Sequence, residues 1–304
     1  MKRWIKYGAL PALGLVALAA ATLFVGVQLG ERKMQRHIDV KIAPLVAQAA
    51  GGDAERIARG RYIFMSRGCT ECHGVNGAGK TFVDDGKDTR LHAPNITPGP
   101  GNVVAAYTAD DWTRTIRHGV KPDGRPAIVM PSEDYARMND ADLAALVAFL
   151  RQMPGVAGER ATVQFPAPVK ALYAFGVIKD AAERIDHALP PPPSLPDAPT
   201  AAHGAYLVNA CIGCHGATLS GGRIPGTPPE WPAAANLTPG AGSAMLRYES
   251  VDAFRAMLRT GRRPDGSAVS TVMPFTALKE INDVDTQALF LHLKSLAPIA
   301  AGNR

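Results

Sequence analysis

A repeated cysteine–histidine motif constrains this chain more than any other feature. All four cysteines of the 304 residues lie in two copies of the pattern Cys-x-x-Cys-His, "CTECH" at 69–73 and "CIGCH" at 211–215. Four matching segments follow each motif at offsets of 141 to 143 residues, the last being "NDADLAALVAFLR" (139–151) and "NDVDTQALFLHLK" (282–294). An offset that drifts so little over a hundred residues predicts two copies of one domain.

Each copy is predicted to be mostly helical. Apolar residues recur at helical spacing in three stretches of the first copy, and each stretch follows a residue that can cap a helix. The loops between them are rich in Gly, Pro, Asn and Thr, and no run alternates apolar and polar residues as a strand would. The predicted helices run from Asp53 toward Arg67, from Asp110 or Asp111 to near Gly119, and onward from Asn139 or Asp140.

The N-terminal segment is predicted to cross a membrane. No charged residue occurs in the 24 residues from Tyr7 to Gly30. As a helix this run is about 36 Å long, enough for a hydrocarbon core of about 30 Å. An uncleaved anchor is favoured, and a cleaved signal peptide ending near 17–19 is the alternative. Of the formal net charge of +6, residues 1–51 contribute +5, so nucleic-acid binding is not expected of the remainder.

The spacing of the cysteines discriminates among three kinds of site. A structural zinc site often takes two Cys-x-x-Cys pairs about 15–20 residues apart, but these pairs are 142 residues apart and lie in separate copies. A redox dithiol is expected in a βαβ context, which this sequence does not show. Covalent haem uses every residue of the motif, since two thiols form thioethers and the adjacent histidine ligates iron. The pattern predicts two haem c groups, tethered by Cys69 and Cys72 and by Cys211 and Cys214, with His73 and His215 as axial ligands.

A methionine in each copy is predicted to be the second axial ligand. Met130 follows His73 by 57 residues, and Met273 follows His215 by 58 residues, both within "VMP". Met138 is a competing candidate, but the matching residue of the second copy is Ile281, which cannot ligate iron. The remaining histidines do not recur at matching positions; His92 and His118 stay as alternative ligands in the first copy.

On these motifs the chain resembles the class I cytochrome c family, over residues 52–153 and 200–297. The segments "PNITPG", "IRHGVKPDG" and "VMPSEDY" are more narrowly similar to the multihaem cytochrome subunits of membrane-bound alcohol, gluconate and fructose dehydrogenases. The resemblance implies an all-α fold of two tandem class I cytochrome c domains after an N-terminal transmembrane helix. It also implies electron transfer to or from redox partner proteins (a dehydrogenase, an oxidase or a small electron carrier). Subunits of this kind have three haem domains, whereas this chain shows two motifs.

The family also suggests how the proximal histidines are held. A proline carbonyl accepts the Nδ1–H bond of the histidine in family members, and Pro94 matches that position here. The matching residue of the second copy is Ala235, so another backbone carbonyl is expected to act there. Thr97 and Thr238 are candidates either for contacts with haem propionates or for packing.

The expected protein is therefore an electron carrier rather than a catalyst, anchored in a bacterial inner membrane with its haem domains in the periplasm. A two-haem redox enzyme, peroxidase-like or of the thiosulfate type, is the alternative. Residues 169–185 between the copies predict a further helix, and 189–199 read as a proline-rich linker. The predicted map is a membrane anchor (1–30), a juxtamembrane linker (31–51), domain 1 (52–155), a linker (156–198) and domain 2 (199–304).

Overall fold

The computed structural model describes residues 2–45, 52–228 and 230–303, so the end of the predicted juxtamembrane linker, 46–51, lies outside the described residues. The described chain is mostly helical, as the sequence predicts. Its α-helices are α1 (Lys2–Met34), α2 (Asp53–Ser66), α3 (Cys69–His73), α4 (Ala109–His118), α5 (Asp140–Gln152), α6 (Ala167–Ala174), α7 (Ala201–Leu207), α8 (Ile212–His215), α9 (Val251–Thr260), α10 (Phe275–Leu278) and α11 (Asp283–Ser295).

Helix α1 is the one helix among the described residues that is long and apolar enough to cross a membrane. Its segment Ala12–Met34 contains an 18-residue stretch with a mean hydropathy of 2.1, and only 6% of that stretch is buried within the protein. By length and composition it could be either an anchor or a signal sequence. The chain after α1 returns to the protein body, where Val40 packs against Val120 and Ala182.

The first and last helices of each copy cross at a glycine. A Cβ on Gly60 of α2 would overlap the backbone carbonyl of Ala145 in α5, and a Cβ on Gly204 of α7 would overlap the carbonyl of Ala288 in α11. The two helix pairs make the largest contacts within their copies. Glycine at these positions therefore sets how closely each helix pair packs, and the same device appears in both copies.

Side chains cap the helices close to the predicted points. Thr108 caps α4 in a reciprocal capping box with Asp111, and Gly119 ends this helix in the left-handed conformation with φ of 64°. Asn139 caps α5 through a 2.8 Å bond from the Asp142 amide. The prediction that Asp53 caps α2 is wrong by one position, since the cap is Gly52, without a side-chain bond.

A small antiparallel sheet departs from the expectation of no strands. Strands β1 (Thr81–Asp84), β2 (Arg90–His92) and β3 (Thr162–Gln164) pair in the order β1-β2-β3. Each strand has only three or four residues, too few for an alternating pattern to stand out in the sequence. Because β3 comes from the predicted linker, the chain after α5 folds back onto the first copy.

The helix predicted over residues 169–185 is shorter in the structure. Helix α6 ends before Phe175, because Gly176 takes a left-handed φ of 74°. A separate 3₁₀ turn, Ala181–Glu183, follows. Both segments pack near α1 and the first copy, as described below, while the proline-rich residues 189–199 form no regular structure.

The two copies contact each other through a reciprocal pair of hydrogen bonds. The Tyr62 hydroxyl of the first copy donates to Asp285 of the second at 2.7 Å, and the Tyr206 hydroxyl of the second donates to Asp142 of the first at 2.6 Å. Both carboxylates are buried near the start of the last helix of their copy. The interface is thus pseudo-symmetric, with each copy using the same pair of positions.

Candidate functional site

A large apolar cavity in the first copy brings together the residues that the sequence predicts to bind a cofactor. The cavity has about 1450 Å³ of empty space, counting its open mouth. Helices α3, α4 and α5, the sheet and the loop 126–131 all supply wall residues. The predicted site residues Cys69, Cys72, His73 and Met130 all line it.

The orientation of His73 follows from its bond to the backbone. Its Nδ1 lies 3.0 Å from the carbonyl oxygen of Pro94, as the family resemblance implies. Because a carbonyl oxygen can only accept, Nδ1 is the donor and carries the proton. Burial lowers the pKa of His73, although the bond to Pro94 opposes this shift, so the neutral ring is favoured. A neutral ring protonated on Nδ1 leaves the lone pair of Nε2 available to a metal.

The thiols beside His73 are not activated for disulfide exchange. Burial raises the pKa of Cys69 to about 12 and that of Cys72 to about 11. A reactive redox dithiol instead has a thiol with a lowered pKa. Two thiols in a wide apolar cavity, beside a histidine whose Nε2 is available, fit a covalently attached porphyrin.

The other candidate ligands of the first copy occupy different positions. Met138 is 7% exposed in the core, and it lines the crevice between the copies rather than the cavity. His118 pairs with His187 through a 2.9 Å contact between their Nδ1 atoms. His92 does line the cavity, where its Nδ1 bonds to Thr81 and its buried Nε2 has no hydrogen-bond partner among the described residues. Only Met130 and His92 therefore remain as candidates that share the cavity with His73.

The second copy repeats two backbone features of this arrangement. The Nδ1 of His215 donates to the carbonyl of Ala235 at 2.8 Å. The expectation that another carbonyl would act here is wrong: the residue matching Pro94 acts itself, since the bond uses the backbone and not the proline ring. The turns after the methionines also agree, because Met130 and Met273 each accept a 2.8 Å bond from the amide two residues later. Met273 packs against the core of its copy, as do Cys211 and Ile212 of the motif.

Thr97 and Thr238 fix the cavity loop instead of facing a ligand. Both side chains are fully buried, and each hydroxyl bonds to the preceding asparagine, Asn95 or Asn236, at 2.8 Å. Each hydroxyl also accepts from the chain after the last helix, from the amides of 156 and 299. Their hydroxyls are thereby occupied, so packing and not propionate binding accounts for these residues.

The two Cys-x-x-Cys-His motifs face the boundary between the copies. Helix α3 contacts α10, and α8 contacts the 3₁₀ turn Ser132–Asp134, where the Gly213 amide donates to Asp134 at 3.0 Å. The Arg67 guanidinium lowers the pKa values of both Cys69 and Cys211, partly offsetting burial, which raises that of Cys211 to about 12. Both motifs therefore lie at the boundary, each in contact with the other copy.

Comparison with known proteins identifies the first copy. Residues 57–154, which include the first motif and Met130, match the Cytochrome c family. The first copy is a cytochrome c domain. The resemblance inferred from the motifs is therefore confirmed, and the match runs from within α2 to the end of α5, the helices that frame the cavity.

Relatives of this cytochrome are named as subunits of dehydrogenases. It is 26% identical over 85% of its length to the fructose dehydrogenase cytochrome subunit of Gluconobacter japonicus, covering 56% of that protein. It is 29% identical over 56% of its length to the cytochrome c subunit of the quinone alcohol dehydrogenase of Gluconobacter oxydans, covering 37% of it. A diheme cytochrome c-type protein of Cereibacter sphaeroides is 29% identical over 38% of the chain, covering 41% of it. The chain thus spans about half or less of these curated relatives.

The sequence reasoning missed the bonds between the copies. Tyr62 and Tyr206 occupy matching positions of the repeat, and so do Asp142 and Asp285. The alignment of the two copies therefore contains a signal for these residues, because both the tyrosine and the carboxylate recur. Their pairing across the boundary could not be read from it, because a repeat does not specify how its copies pack.

Proposed function

We propose that this chain is a di-haem c-type cytochrome that carries electrons for a dehydrogenase. The observation that carries the proposal is the cavity of the first copy, which joins two buried thiols, a histidine with Nε2 available and a methionine. Bound haem c would supply a one-electron couple between Fe(III) and Fe(II). The residues assigned to the first haem are Cys69 and Cys72 as tethers and His73 and Met130 as ligands; Cys211, Cys214, His215 and Met273 have these roles for the second.

The chain's own residues prepare the site for electron transfer rather than for catalysis. The carbonyls of Pro94 and Ala235 hold the histidines in one tautomer, and matching backbone turns follow the two methionines. His73 and Met130, and His215 and Met273, would hold the iron of each haem, which would then have no position left for a substrate. The adjacent motifs, with Arg67 near both, support transfer between the two sites within one chain.

The proposed setting is a periplasmic membrane surface beside a dehydrogenase. Helix α1 is assigned as the anchor, and the names of the relatives support a dehydrogenase as the electron donor. A partner would be found by mild solubilisation of membranes and identification of the protein that copurifies with the full chain and reduces it.

Haem analysis tests the central assignment. Pyridine haemochrome spectra of the purified chain should give about two haem c per chain, and the oxidised protein should show the Fe–Met charge-transfer band. The double substitution of Cys69 and Cys72 by Ala should reduce the count to one and leave the second site intact. A count below two in the unmodified chain contradicts the di-haem assignment, and rapid carbon monoxide binding to one reduced site would favour a two-haem enzyme instead.

A further inference from the structure

An exposed apolar patch lies at the C-terminal end of α6. Leu172, Phe175 and Val177 are 41%, 55% and 66% exposed, although their neighbours Ala171 and Tyr173 are buried. We call these three exposed residues the α6 patch. Three large apolar side chains within six residues are unusual on a surface facing water, and such a patch marks an interaction site.

The α6 patch is fixed against the apolar part of α1. Gly30 of α1 lies directly on the backbone carbonyl of Lys170, at a separation that leaves no room for a Cβ. One turn earlier, a Cβ on Gly26 would be 2.8 Å from the Cβ of Ala171 and 3.2 Å from the Phe175 ring. The small residues let the two helices pack closely. Because the chain of α6 advances from Lys170 to Phe175 as α1 goes back from Gly30 to Gly26, the two helices are antiparallel.

Polar contacts on the other side of the joint hold the two helices together. Arg36 forms a two-pronged pair with the buried Asp180 at 2.8 and 3.0 Å, and it bonds to the Tyr173 hydroxyl at 2.5 Å. Hydrogen bonds from Arg36 and Tyr173 lower the pKa of Asp180 although its burial acts in the opposite direction, so this carboxylate stays charged. Lys170 pairs with Glu31 at 2.8 Å. All these charges lie at or beyond Glu31 of α1, on the side away from the apolar segment.

The level of the α6 patch along α1 decides what covers it. The uncharged run of α1 ends at Gly30, and Glu31 is the first charged residue after it. The Phe175 ring lies beside Gly26, five residues before Glu31 and so about 7.5 Å farther into the apolar segment. If α1 crosses a bilayer with its uncharged run in the hydrocarbon, a ring fixed beside Gly26 cannot stay in water.

We propose that the α6 patch is a second membrane contact, inserted into the lipid leaflet beside α1. The inference rests on the proposed membrane anchor. Interfacial segments bury an apolar face about 5–10 Å deep at the boundary between headgroups and acyl chains, which agrees with the level of Phe175. Two contact points instead of one fix the tilt of the haem-binding copies over the bilayer, and so fix which face a redox partner meets.

Site-directed spin labels on the full chain with its haems, in nanodiscs of phosphatidylethanolamine and phosphatidylglycerol, test this contact. The chain offers a matched pair of leucines, since Leu172 is 41% exposed and Leu195 of the proline-rich segment is 40% exposed. Leu18 of α1, 64% exposed, is the reference for lipid. A nitroxide is attached to L172C, L195C or L18C, and its depth is measured from its collisions with oxygen and with a water-soluble nickel chelate. The unmodified chain, treated with the same reagent, gives the background.

We expect the L172C label at a depth of about 5–10 Å below the phosphates, the L18C label deeper and the L195C label in water. If the L172C label is as accessible to nickel as the L195C label while the L18C label is in lipid, the proposed lipid contact of the α6 patch is wrong and the anchor is supported. A water-exposed L18C label overturns the anchor, and the patch with it. A label on L172C that neither collision partner reaches shows a protein contact, such as a second copy of this chain, and likewise overturns the lipid contact.

Discussion

Removing one hydroxyl from the contact between the copies should weaken the protein by unequal amounts on the two sides. The paired substitutions are Tyr62→Phe and Tyr206→Phe, which keep the ring and delete the hydroxyl that donates to Asp285 or Asp142. Each hydroxyl also accepts a 3.3 Å bond from a backbone amide, that of Asn282 or Asn139, so this second loss is the same on both sides. A hydrogen bond to a charged group is worth about 1.5–3 kcal/mol. The two substitutions differ in the hydrogen bonds that remain on the carboxylate after the tyrosine hydroxyl is lost.

Asp142 keeps the better set of partners after its tyrosine is lost. Arg59 holds both of its oxygens, at 2.8 and 3.0 Å. Among the described residues, Asp285 keeps one close partner, His203 at 2.8 Å, with Arg67 farther away at 3.6 Å. We therefore expect Tyr206→Phe to lower the free energy of unfolding by about 1.5 kcal/mol and Tyr62→Phe by about 3 kcal/mol.

Urea unfolding of the haem-loaded full chain, followed by circular dichroism, measures the difference. Tyr248→Phe is the control, because this tyrosine is buried inside the second copy, where it packs against Phe254. Its free energy of unfolding should change by less than about 0.5 kcal/mol. If Tyr206→Phe lowers the free energy of unfolding as much as Tyr62→Phe does, the remaining partners of the carboxylates do not determine the effect and the reasoning fails. If both substitutions lower it by less than about 0.5 kcal/mol, the copies do not dock through these bonds in solution.

Three further predictions concern the helix crossing, a buried histidine and the ligands. Gly60→Ala should destabilise the chain by more than about 3 kcal/mol, because its Cβ overlaps a backbone carbonyl, whereas Gly14→Ala, with open space around it, should leave the urea midpoint unchanged. Burial, with a smaller contribution from the neighbouring His187, lowers the pKa of His118 from 6.5 to about 4. The stability that neutral His118 contributes is therefore complete above about pH 6.5 and is lost as the pH falls toward 4. His118→Gln should make the urea midpoint of unfolding less dependent on pH between these values. Met130→Ala and Met273→Ala should each remove about half of the Fe–Met charge-transfer band without changing the haem count, and loss of a haem instead would contradict their role as ligands alone.

The helices and the cavity residues of the first copy could be predicted from the sequence, because both depend on local or repeated patterns. Apolar periodicity and capping residues marked α4 and α5 to within two residues, and the "VMP" repeat separated Met130 from Met138, which the structure places outside the cavity. The sequence reasoning failed where the structure depends on backbone groups that are far apart in the sequence. The sheet needs residues 162–164 to return to β2, and the bond of Ala235 to His215 needs only a carbonyl, which every residue has.

The lateral packing of the copies was equally hidden, for a different reason. A repeat predicts that each copy has the same surface but leaves open which faces meet. Here the reciprocal bonds select the face that contains the Tyr and Asp positions, and the two motifs come close as a consequence. The carboxylates' partners at matching positions are Arg59 and His203, so the two halves of a symmetric contact are not chemically equal.

This inequality extends to the two proposed haem sites and predicts that they have different reduction potentials. In the first copy the sheet closes the cavity with Leu91 and Val163, and Cys72 is partly buried, whereas Cys214 of the second copy is exposed. A drier surrounding favours the less charged Fe(II) state and so raises the potential. We expect the first site to have the higher potential by more than about 59 mV, a tenfold preference for the electron. Spectroelectrochemical titration should show two components, and Met130→Ala should lower the higher one while Met273→Ala lowers the other; a single midpoint, or the opposite assignment, would mean that cavity closure does not order the two sites.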